Sequence, residues 1–149
     1  MGKLEGKVAI VTGGSRGIGK AIARGLAAEG ANVVIAARGV EKLAQAAQEI
    51  AGPGATVVPI PTDVTNEAEV TALFQRTLDL FHRLDILVNN AGVFDGGPLD
   101  ELPVETWDKV MAANLRGPFL CTRAALRIMK PQGVGESSTL GASRHSGPA

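Results

Sequence analysis

The sequence predicts an α/β protein built on a parallel β-sheet with helices on both faces. Short apolar runs alternate with segments of helical periodicity, and this alternation is typical of doubly wound folds. The third apolar run contains Pro59 and Pro61. Proline has no N–H to donate to a neighbouring strand, so this run belongs at a sheet edge. The predicted strand order is therefore 3-2-1-4, an incomplete doubly wound sheet.

Four apolar runs are predicted to form the strands, at residues 8–11, 33–36, 56–61 and 85–92. Between them, apolar residues recur at the i, i+3, i+4, i+7 spacing of a helix face. The faces predicted to be buried are Ile18, Ala21, Ile22, Gly25 and Leu26 in the first helix, Leu43, Ala46, Ala47 and Ile50 in the second, and Val70, Leu73, Phe74, Thr77, Leu78 and Phe81 in the third.

A further helical segment covers residues 103–130. Gly117 and Pro118 are expected to interrupt it, because proline removes one helical hydrogen bond and clashes with the preceding turn. Trp107, Met111 and Phe119 lie in this segment, and they are expected in the core because large apolar side chains are usually buried.

Composition argues against several classes of function. With 149 residues, of which 45% are hydrophobic, the chain can form one domain with a core. The formal net charge of zero argues against a nucleic-acid binder, which needs a basic surface. No apolar run approaches the roughly 20 residues of a membrane span. Two histidines and one cysteine are too few for a structural zinc site, so no metal is expected. The lone Cys121 and an N-terminus without an apolar leader favour the cytoplasm.

A glycine-rich loop follows the first predicted strand and opens the first predicted helix. In "VTGGSRGIGK", Gly13, Gly17 and Gly19 allow a tight turn and let backbone N–H groups approach an anion at the helix N-terminus. Arg16 can add a charge-assisted contact to phosphate. The alternative is a turn that only joins a strand to a helix.

Three further motifs follow the predicted strands. Asp63 comes after the third strand, where it can accept a hydrogen bond from an adenine amino group or act as a turn or capping residue. "NNAG" begins at Asn89 and ends the fourth strand; its asparagines can contact a ligand or cap the strand and its turn, and the two roles are compatible. Asn114 lies in "MAANLRGPFL", just before the expected interruption, and the alternative role is that of a plain kink residue.

Together, "TGGSRGIG", the "DV" of Asp63 and Val64, "NNAG" and "MAANLRGPFL" resemble the short-chain dehydrogenase/reductase family, in particular its ketoacyl reductases. The resemblance covers Lys3 to about Lys130 and implies a Rossmann-like fold. It also implies hydride transfer between NADP(H) and a carbonyl or alcohol substrate. The implied cofactor-binding residues are Gly13, Ser15, Arg16, Gly17, Ile18, Gly19, Arg38, Asp63, Val64, Asn90, Ala91 and Gly92. Full-length members of the family oligomerise.

The second predicted strand ends in "IAARG", with no acidic residue to accept a hydrogen bond from a ribose 2′-hydroxyl. Arg38 stands there instead, and a guanidinium suits a 2′-phosphate. With Arg16, this resembles the family members that prefer NADP to NAD. The alternative is that Arg38 is a solvated charge at the end of a strand.

The resemblance implies one catalytic residue, Asn114, which in the family supports a water in a proton relay. The family's other catalytic residues are a serine, a tyrosine and a lysine four residues after it, and this sequence contains no tyrosine. The chain is therefore expected to be inactive by itself. The alternatives are a non-catalytic dinucleotide-binding module and a non-functional truncated product.

The last residues lose the periodicity of the rest. We expect a cofactor-binding domain over residues 1–130 and an aberrant, disordered tail over residues 131–149. A one-base shift near the Gly133 codon can convert the tail into a strand pattern that resembles the family's next segment. The sequence therefore favours a frameshifted or C-terminally truncated family member, and a natural variant with an unrelated tail is the alternative.

Overall fold

Four parallel strands form a single sheet in the order β3-β2-β1-β4, as predicted. The computed structural model describes residues 2–52, 54–93 and 95–133. The strands are β1 (Val8–Thr12), β2 (Asn32–Ala37), β3 (Val57–Pro61) and β4 (Ile86–Val88). The fourth strand is much shorter than predicted, because the chain leaves the sheet before the two asparagines. The two prolines of β3 do lie at an edge, where they interrupt no second ladder.

Helices cover both faces of the sheet. They are α1 (Gly17–Ala28), α2 (Val40–Ile50), α3 (Glu67–Phe81), α4 (Val104–Met111) and α5 (Gly117–Met129), with a 3₁₀ turn at Leu99–Glu101 and a π-helical turn at Ala112–Arg116. None of the helices in the described part of the chain is both long and apolar enough to cross a membrane.

The sheet separates two hydrophobic clusters, because successive residues of a strand point to opposite faces. Ile10 and Val34 pack with residues of α3 and α5 on one face. Val11 and Ile35, one residue further along each strand, pack with residues of α1 and α2 on the other face. This two-sided burial explains why the strands read as continuous apolar runs.

The buried face of α1 is shifted from the predicted one: Ile22 and Leu26 are half-buried against the core, but no residue of the predicted face is fully buried. Ile18 is 55% exposed, whereas the buried residues of this helix are Gly19, Ala23 and Ala27. Small residues let the helix approach the sheet closely. The contact is therefore made by glycine and alanine, which contribute least to the hydrophobic periodicity of the sequence. In α2 and α3 the predicted faces are largely confirmed, with Leu43 and Leu73 fully buried.

Two aromatic side chains expected in the core lie at the surface instead. Trp107 is 51% exposed and Phe119 is 58% exposed, while Met111 is half-buried. No residue of α4 is buried, so this helix adds no fully buried side chain to the core. The core on this side is supplied by α5, through Leu120, Cys121 and Ala125.

The end of α5 is fastened to the sheet by one side chain. Gln132 donates from Nε2 to the Leu84 carbonyl (2.7 Å) and accepts from the Leu84 N–H at Oε1 (3.1 Å). The side-chain amide thereby satisfies both backbone groups of the residue that leads into β4. The expected tail begins at this point, and residues 134–149 of it lie outside the described residues.

A buried carboxylate ties β4 to the start of β1. Asp85 accepts from the Val8 N–H (2.9 Å) and from two nitrogens of Arg83 (2.8 and 2.6 Å), and it is only 7% exposed. Burial by itself would raise the pKa of Asp85, but the bonds from Arg83 and Val8 outweigh it and lower the pKa. The charged form of Asp85 therefore stabilises the fold.

Asp85→Asn is expected to lower the free energy of unfolding near neutral pH by about 1.5–3 kcal/mol, the usual contribution of a hydrogen bond to a charged group. The pKa of Asp85 in the folded chain lies below its value of about 3.9 in the unfolded chain. Ionised Asp85 therefore stabilises the fold fully above about pH 3.9, and this stability is lost as pH falls through the folded pKa. Urea unfolding from about pH 6 down to about pH 3 should therefore show a steeper loss for the wild type than for Asp85→Asn.

The matched control is Asp79→Asn, since Asp79 is exposed on α3 and, within the described part of the chain, accepts a side-chain hydrogen bond only from Gln75, four residues away. This variant should unfold like the wild type. An equal loss in both variants, or an unchanged pH profile in Asp85→Asn, would contradict a role for the buried carboxylate.

Candidate functional site

A cleft of about 440 Å³ opens at the carboxyl ends of the strands. Ligands of open α/β sheets bind outside this end, so its position is the expected one. The cleft is lined by Gly13, Ser15, Arg16, Ala37, Arg38, Gly39, Lys42, Thr62, Asp63, Val64, Thr65, Ala91, Gly92, Val93, Lys109, Ala112 and Ala113. The segments after all four strands therefore contribute to one site.

Eight of the thirteen predicted site residues line this cleft. They are Gly13, Ser15, Arg16, Arg38, Asp63, Val64, Ala91 and Gly92. The other five are Gly17, Ile18, Gly19, Asn90 and Asn114. The first three begin α1, and the two asparagines form hydrogen bonds with the backbone of lining residues, Asn90 with Gly13 and Asn114 with Val93.

The glycine loop packs directly on the segment after β4. Gly13 has a positive φ of +67°, and a Cβ there would lie 3.0 Å from the backbone of Ala91. A Cβ on Gly19 would overlap the Gly13 carbonyl and Asn90 Nδ2. Asn90 Nδ2 also donates to the Gly13 carbonyl (3.1 Å). Glycine is thus required at 13 and 19 by close backbone approach, which the motif alone could only suggest.

Thr12, the last residue of β1, connects this strand to the segment after β4. No sequence motif identified this residue. Its hydroxyl accepts from the N–H groups of Asn90 and Ala91 (3.0 Å each) and donates to the Val88 carbonyl (3.4 Å). The residue is 1% exposed. The available signal was a hydroxyl at the end of an otherwise apolar strand.

The two asparagines of "NNAG" have different partners. Asn89 is 5% exposed and donates to the Thr122 hydroxyl on α5 (3.0 Å), whereas Asn90 fastens the glycine loop as described above. Both side chains therefore organise the wall around the cleft. Asn89 thus contacts a helix rather than the cleft.

Asn114 uses both ends of its side-chain amide on one residue. Its Nδ2 donates to the Val93 carbonyl (2.8 Å) and its Oδ1 accepts from the Val93 N–H (2.9 Å). A Cβ on Gly92 would lie 2.7 Å from the same Oδ1. Asn114 therefore holds the segment after β4 against the π-helical turn that follows α4.

The helix around Asn114 is irregular, but not where it was expected. Gly117 and Pro118 continue the helix, and the irregularity is the π-helical turn before them, in which the Gly117 N–H donates to the Ala112 carbonyl. Pro118 has no N–H and donates no backbone hydrogen bond. It therefore cannot donate to the Asn114 carbonyl, its acceptor at α-helical spacing, or to the Ala113 carbonyl, its acceptor at π-helical spacing. Single π-helical turns of this kind frequently occur at functional sites.

Asp63 forms a local turn on the floor of the cleft. Its Oδ1 accepts from the Thr65 hydroxyl (2.7 Å) and the Thr65 N–H (2.9 Å). The Thr65 hydroxyl bond, supported by the Thr65 N–H bond and by the nearby positive charge of Arg38, lowers the pKa of Asp63 in spite of partial burial. The N-cap of α3 is Asn66 rather than Asp63. The carboxylate thus stays ionised beside the cleft.

The cleft is strongly cationic in a chain whose formal net charge is zero. Four basic side chains line it, those of Arg16, Arg38, Lys42 and Lys109, and Asp63 is the one acidic residue among the lining residues. None of the four basic residues takes part in the ion pairs of the described residues, which are Lys20–Glu49, Arg83–Asp85 and Arg123–Glu67. Lys42 and Lys109 lie outside the motifs that predicted the site from sequence. The excess positive charge suits an anionic ligand.

The described residues do not support metal binding or catalysis by a cysteine nucleophile. Among the described residues, no group of three or more histidine, cysteine or acidic side chains is placed to hold a metal ion. The Cys121 thiol is fully buried, and burial raises its pKa to about 12, so it stays protonated and is a poor nucleophile.

Comparison with known proteins identifies close relatives. A model of the short chain dehydrogenase family matches residues 7–139. A short chain dehydrogenase/reductase of Macrophomina phaseolina is 40% identical over 131 residues, which are 87% of this chain and 75% of that protein. A 3-oxoacyl-(acyl-carrier-protein) reductase of Synechocystis sp. is 43% identical over 136 residues, which are 91% of this chain and 55% of that protein.

A solved structure shares the fold. It is a short chain dehydrogenase from Burkholderia cenocepacia in complex with NADP, which matches with a TM-score of 0.80 and 40% identity. The match covers 85% of this chain and 52% of that one. The chain thus spans about half the length of this structure and of the Synechocystis reductase.

Proposed function

The chain belongs to the short-chain dehydrogenase family, and from this premise we propose that its cleft binds NADP(H) as the cofactor-binding part of a carbonyl or alcohol oxidoreductase. The observation that carries the proposal is the cationic lining of the cleft, to which the segment after β2 contributes Arg38 and Lys42 but no acidic side chain, since Glu41 is not among the lining residues. A ribose 2′-hydroxyl calls for an acidic acceptor at this place, whereas a 2′-phosphate calls for cations. The complex of a relative with NADP supports the same choice.

The residues present fit a dinucleotide. The N-terminus of α1 has no side-chain cap, so the N–H groups of its first turn remain available to a pyrophosphate, with Ser15 and Arg16 beside them. Arg38 would hold the 2′-phosphate. Asp63 and Val64 would hold the adenine, and Ala91 and Gly92 would face the ribose across a wall that has no bulky side chains.

Bound NADP(H) would supply or accept a hydride at its nicotinamide ring. The contribution of this chain is positional: Asn114 fixes Val93 through both backbone groups, and the Asn114 carbonyl, which Pro118 cannot serve, can accept from a water. We assign the proton-relay role of Asn114 to this carbonyl, because the side-chain amide is already used.

The sequence has no tyrosine, so the tyrosine–lysine pair that the family resemblance implies is not found within these 149 residues. We therefore propose that this chain binds NADP(H) without reducing carbonyl compounds by itself. This favours a dinucleotide-binding module as the second candidate function, and both candidates use the same cleft.

Calorimetric titration of the purified chain with NADPH and with NADH tests the proposal. We expect one NADPH site per chain and roughly 10- to 100-fold weaker binding of NADH, because charge-assisted contacts to the 2′-phosphate contribute about 1.5–3 kcal/mol. Incubation with NADPH and a panel of ketones should leave the absorbance of NADPH unchanged.

A chain that is folded by circular dichroism yet binds neither cofactor saturably would overturn the proposed binding. Steady consumption of NADPH with a ketone would overturn the proposed lack of turnover and leave the binding proposal intact.

A further inference from the structure

Lys42 is a cation of the cleft that neither the sequence motifs nor the family resemblance identified. It lies in the first turn of α2, whose N-cap is Gly39, and it lines the cleft together with Gly39 and Arg38. A Cβ on Gly39 would lie 4.0 Å from Lys42 Cβ, so the lysine starts directly beside the backbone that follows Arg38.

The position of Lys42 is not explained by the stability of the helix. A positive charge in the first turn opposes the helix dipole, which favours acidic residues such as Glu41 there. The residues three and four positions further along the helix are Gln45 and Ala46, so no acidic partner is available at helical spacing. Among the described residues, the Lys42 ammonium forms no ion pair and no hydrogen bond.

The residues that line the cleft around Lys42 carry more positive than negative charge. Arg38 precedes it on the same wall of the cleft, and like charges repel. The nearest acidic residue of the lining, Asp63, already accepts two hydrogen bonds from Thr65. Arg38 attracts the Asp63 carboxylate, but the two cations at the end of β2 outnumber this one acidic residue of the lining, so the net positive charge suits an anionic group of a ligand.

On the basis of the proposed function, we propose that Lys42 is a specificity-determining residue that binds the 2′-phosphate of NADP(H) together with Arg38. The end of the second strand is where doubly wound folds hold the ribose 2′ substituent. A guanidinium offers a planar pair of donors, and an ammonium adds a compact charge that can follow the phosphate. Arg38 would make the directional contact to the 2′-phosphate, and Lys42 would make the purely electrostatic one.

The experiment measures the affinities of Lys42→Gln for NADPH and for NADH. Lys42→Gln is expected to weaken NADPH binding about tenfold and NADH binding less than about twofold, because only NADPH carries the 2′-phosphate. Adenosine 2′,5′-bisphosphate and adenosine 5′-monophosphate should show the same contrast without the nicotinamide half. Lys42→Arg, which keeps the charge, should retain the preference for NADPH.

The matched control is Lys130→Gln, which removes the same charge from an exposed residue at the end of α5, outside the cleft lining. It should leave both affinities unchanged. The melting temperature of the ligand-free chain gives a second readout, and Lys42→Gln should leave it unchanged or raise it, because the lysine opposes the helix dipole.

The outcomes separate this inference from the proposed function. Failure of the wild type to bind NADPH would overturn both. Normal NADPH preference in the wild type, with an equal loss of NADPH and NADH in Lys42→Gln or with no loss, would overturn the role of Lys42 alone. A marked fall in melting temperature would assign Lys42 a structural role and also overturn the inference.

Discussion

Gly19→Ala is expected to abolish measurable NADPH binding in the micromolar range. The added Cβ would overlap the Gly13 carbonyl oxygen and Asn90 Nδ2, and it would lie 2.8 Å from the Gly13 carbonyl carbon. These neighbours are backbone and a side chain held by its own hydrogen bond, so the glycine loop must move away from Asn90. A displacement that costs roughly 3–4 kcal/mol corresponds to an affinity loss of a few hundredfold.

The same helix offers a matched control for this substitution. A Cβ on Gly25 meets nothing within 4 Å, and Gly25 has no positive φ. Gly25→Ala should therefore keep NADPH affinity and raise the free energy of unfolding by about 0.5–1 kcal/mol, since alanine favours a helix over glycine. Titration of both variants decides the matter. Wild-type affinity in Gly19→Ala would contradict the close packing of the loop.

Thr12→Val is expected to lower the free energy of unfolding by about 2–4 kcal/mol, the cost of leaving buried polar groups without partners. Valine keeps the shape of threonine but cannot accept from the N–H groups of Asn90 and Ala91 or donate to the Val88 carbonyl. Urea denaturation followed by circular dichroism measures the change, and a total stability of about 5–15 kcal/mol leaves a resolvable transition.

Thr12→Ser is the control that separates the hydroxyl from the methyl group. It keeps all three hydrogen bonds and removes one methyl, so it should cost no more than about 1 kcal/mol. Thr12→Val as stable as the wild type, or Thr12→Ser as damaging as Thr12→Val, would show that the hydroxyl does not fasten the Asn90 segment to β1.

The sheet could be predicted because its signals are local. Two prolines identify the edge strand, and bulky stripes such as Leu43 and Leu73 identify the buried faces of α2 and α3. The face of α1 was predicted incorrectly because its contact uses Gly19 and Ala23, whose burial depends on how closely the helix approaches the sheet. No periodicity in the sequence reports that distance.

The site was predicted only as far as its motifs extend. Thr12 and its partners are 76 to 79 residues apart in the sequence, so their contact exists only after the parallel sheet has formed. Lys42 joins the cleft because α2 begins next to Arg38. Trp107 was predicted to be buried because large apolar side chains usually are. It is exposed instead, since burial depends on which element packs against α4, and the side chain itself does not encode that.

The connection of β1 to β4 also determines when a binding site can exist during folding. The pairings among β1, β2 and β3 use consecutive crossovers, whereas Val8 and Asp85 meet across 77 residues. Such a long loop closes late, because its entropy must be lost before its contacts stabilise the fold. The β4 segment brings Ala91 and Gly92, one wall of the cleft. A chain in which only β1, β2 and β3 have paired would therefore lack one wall of the cleft, and a dinucleotide that needs this wall would stabilise only chains whose sheet has closed.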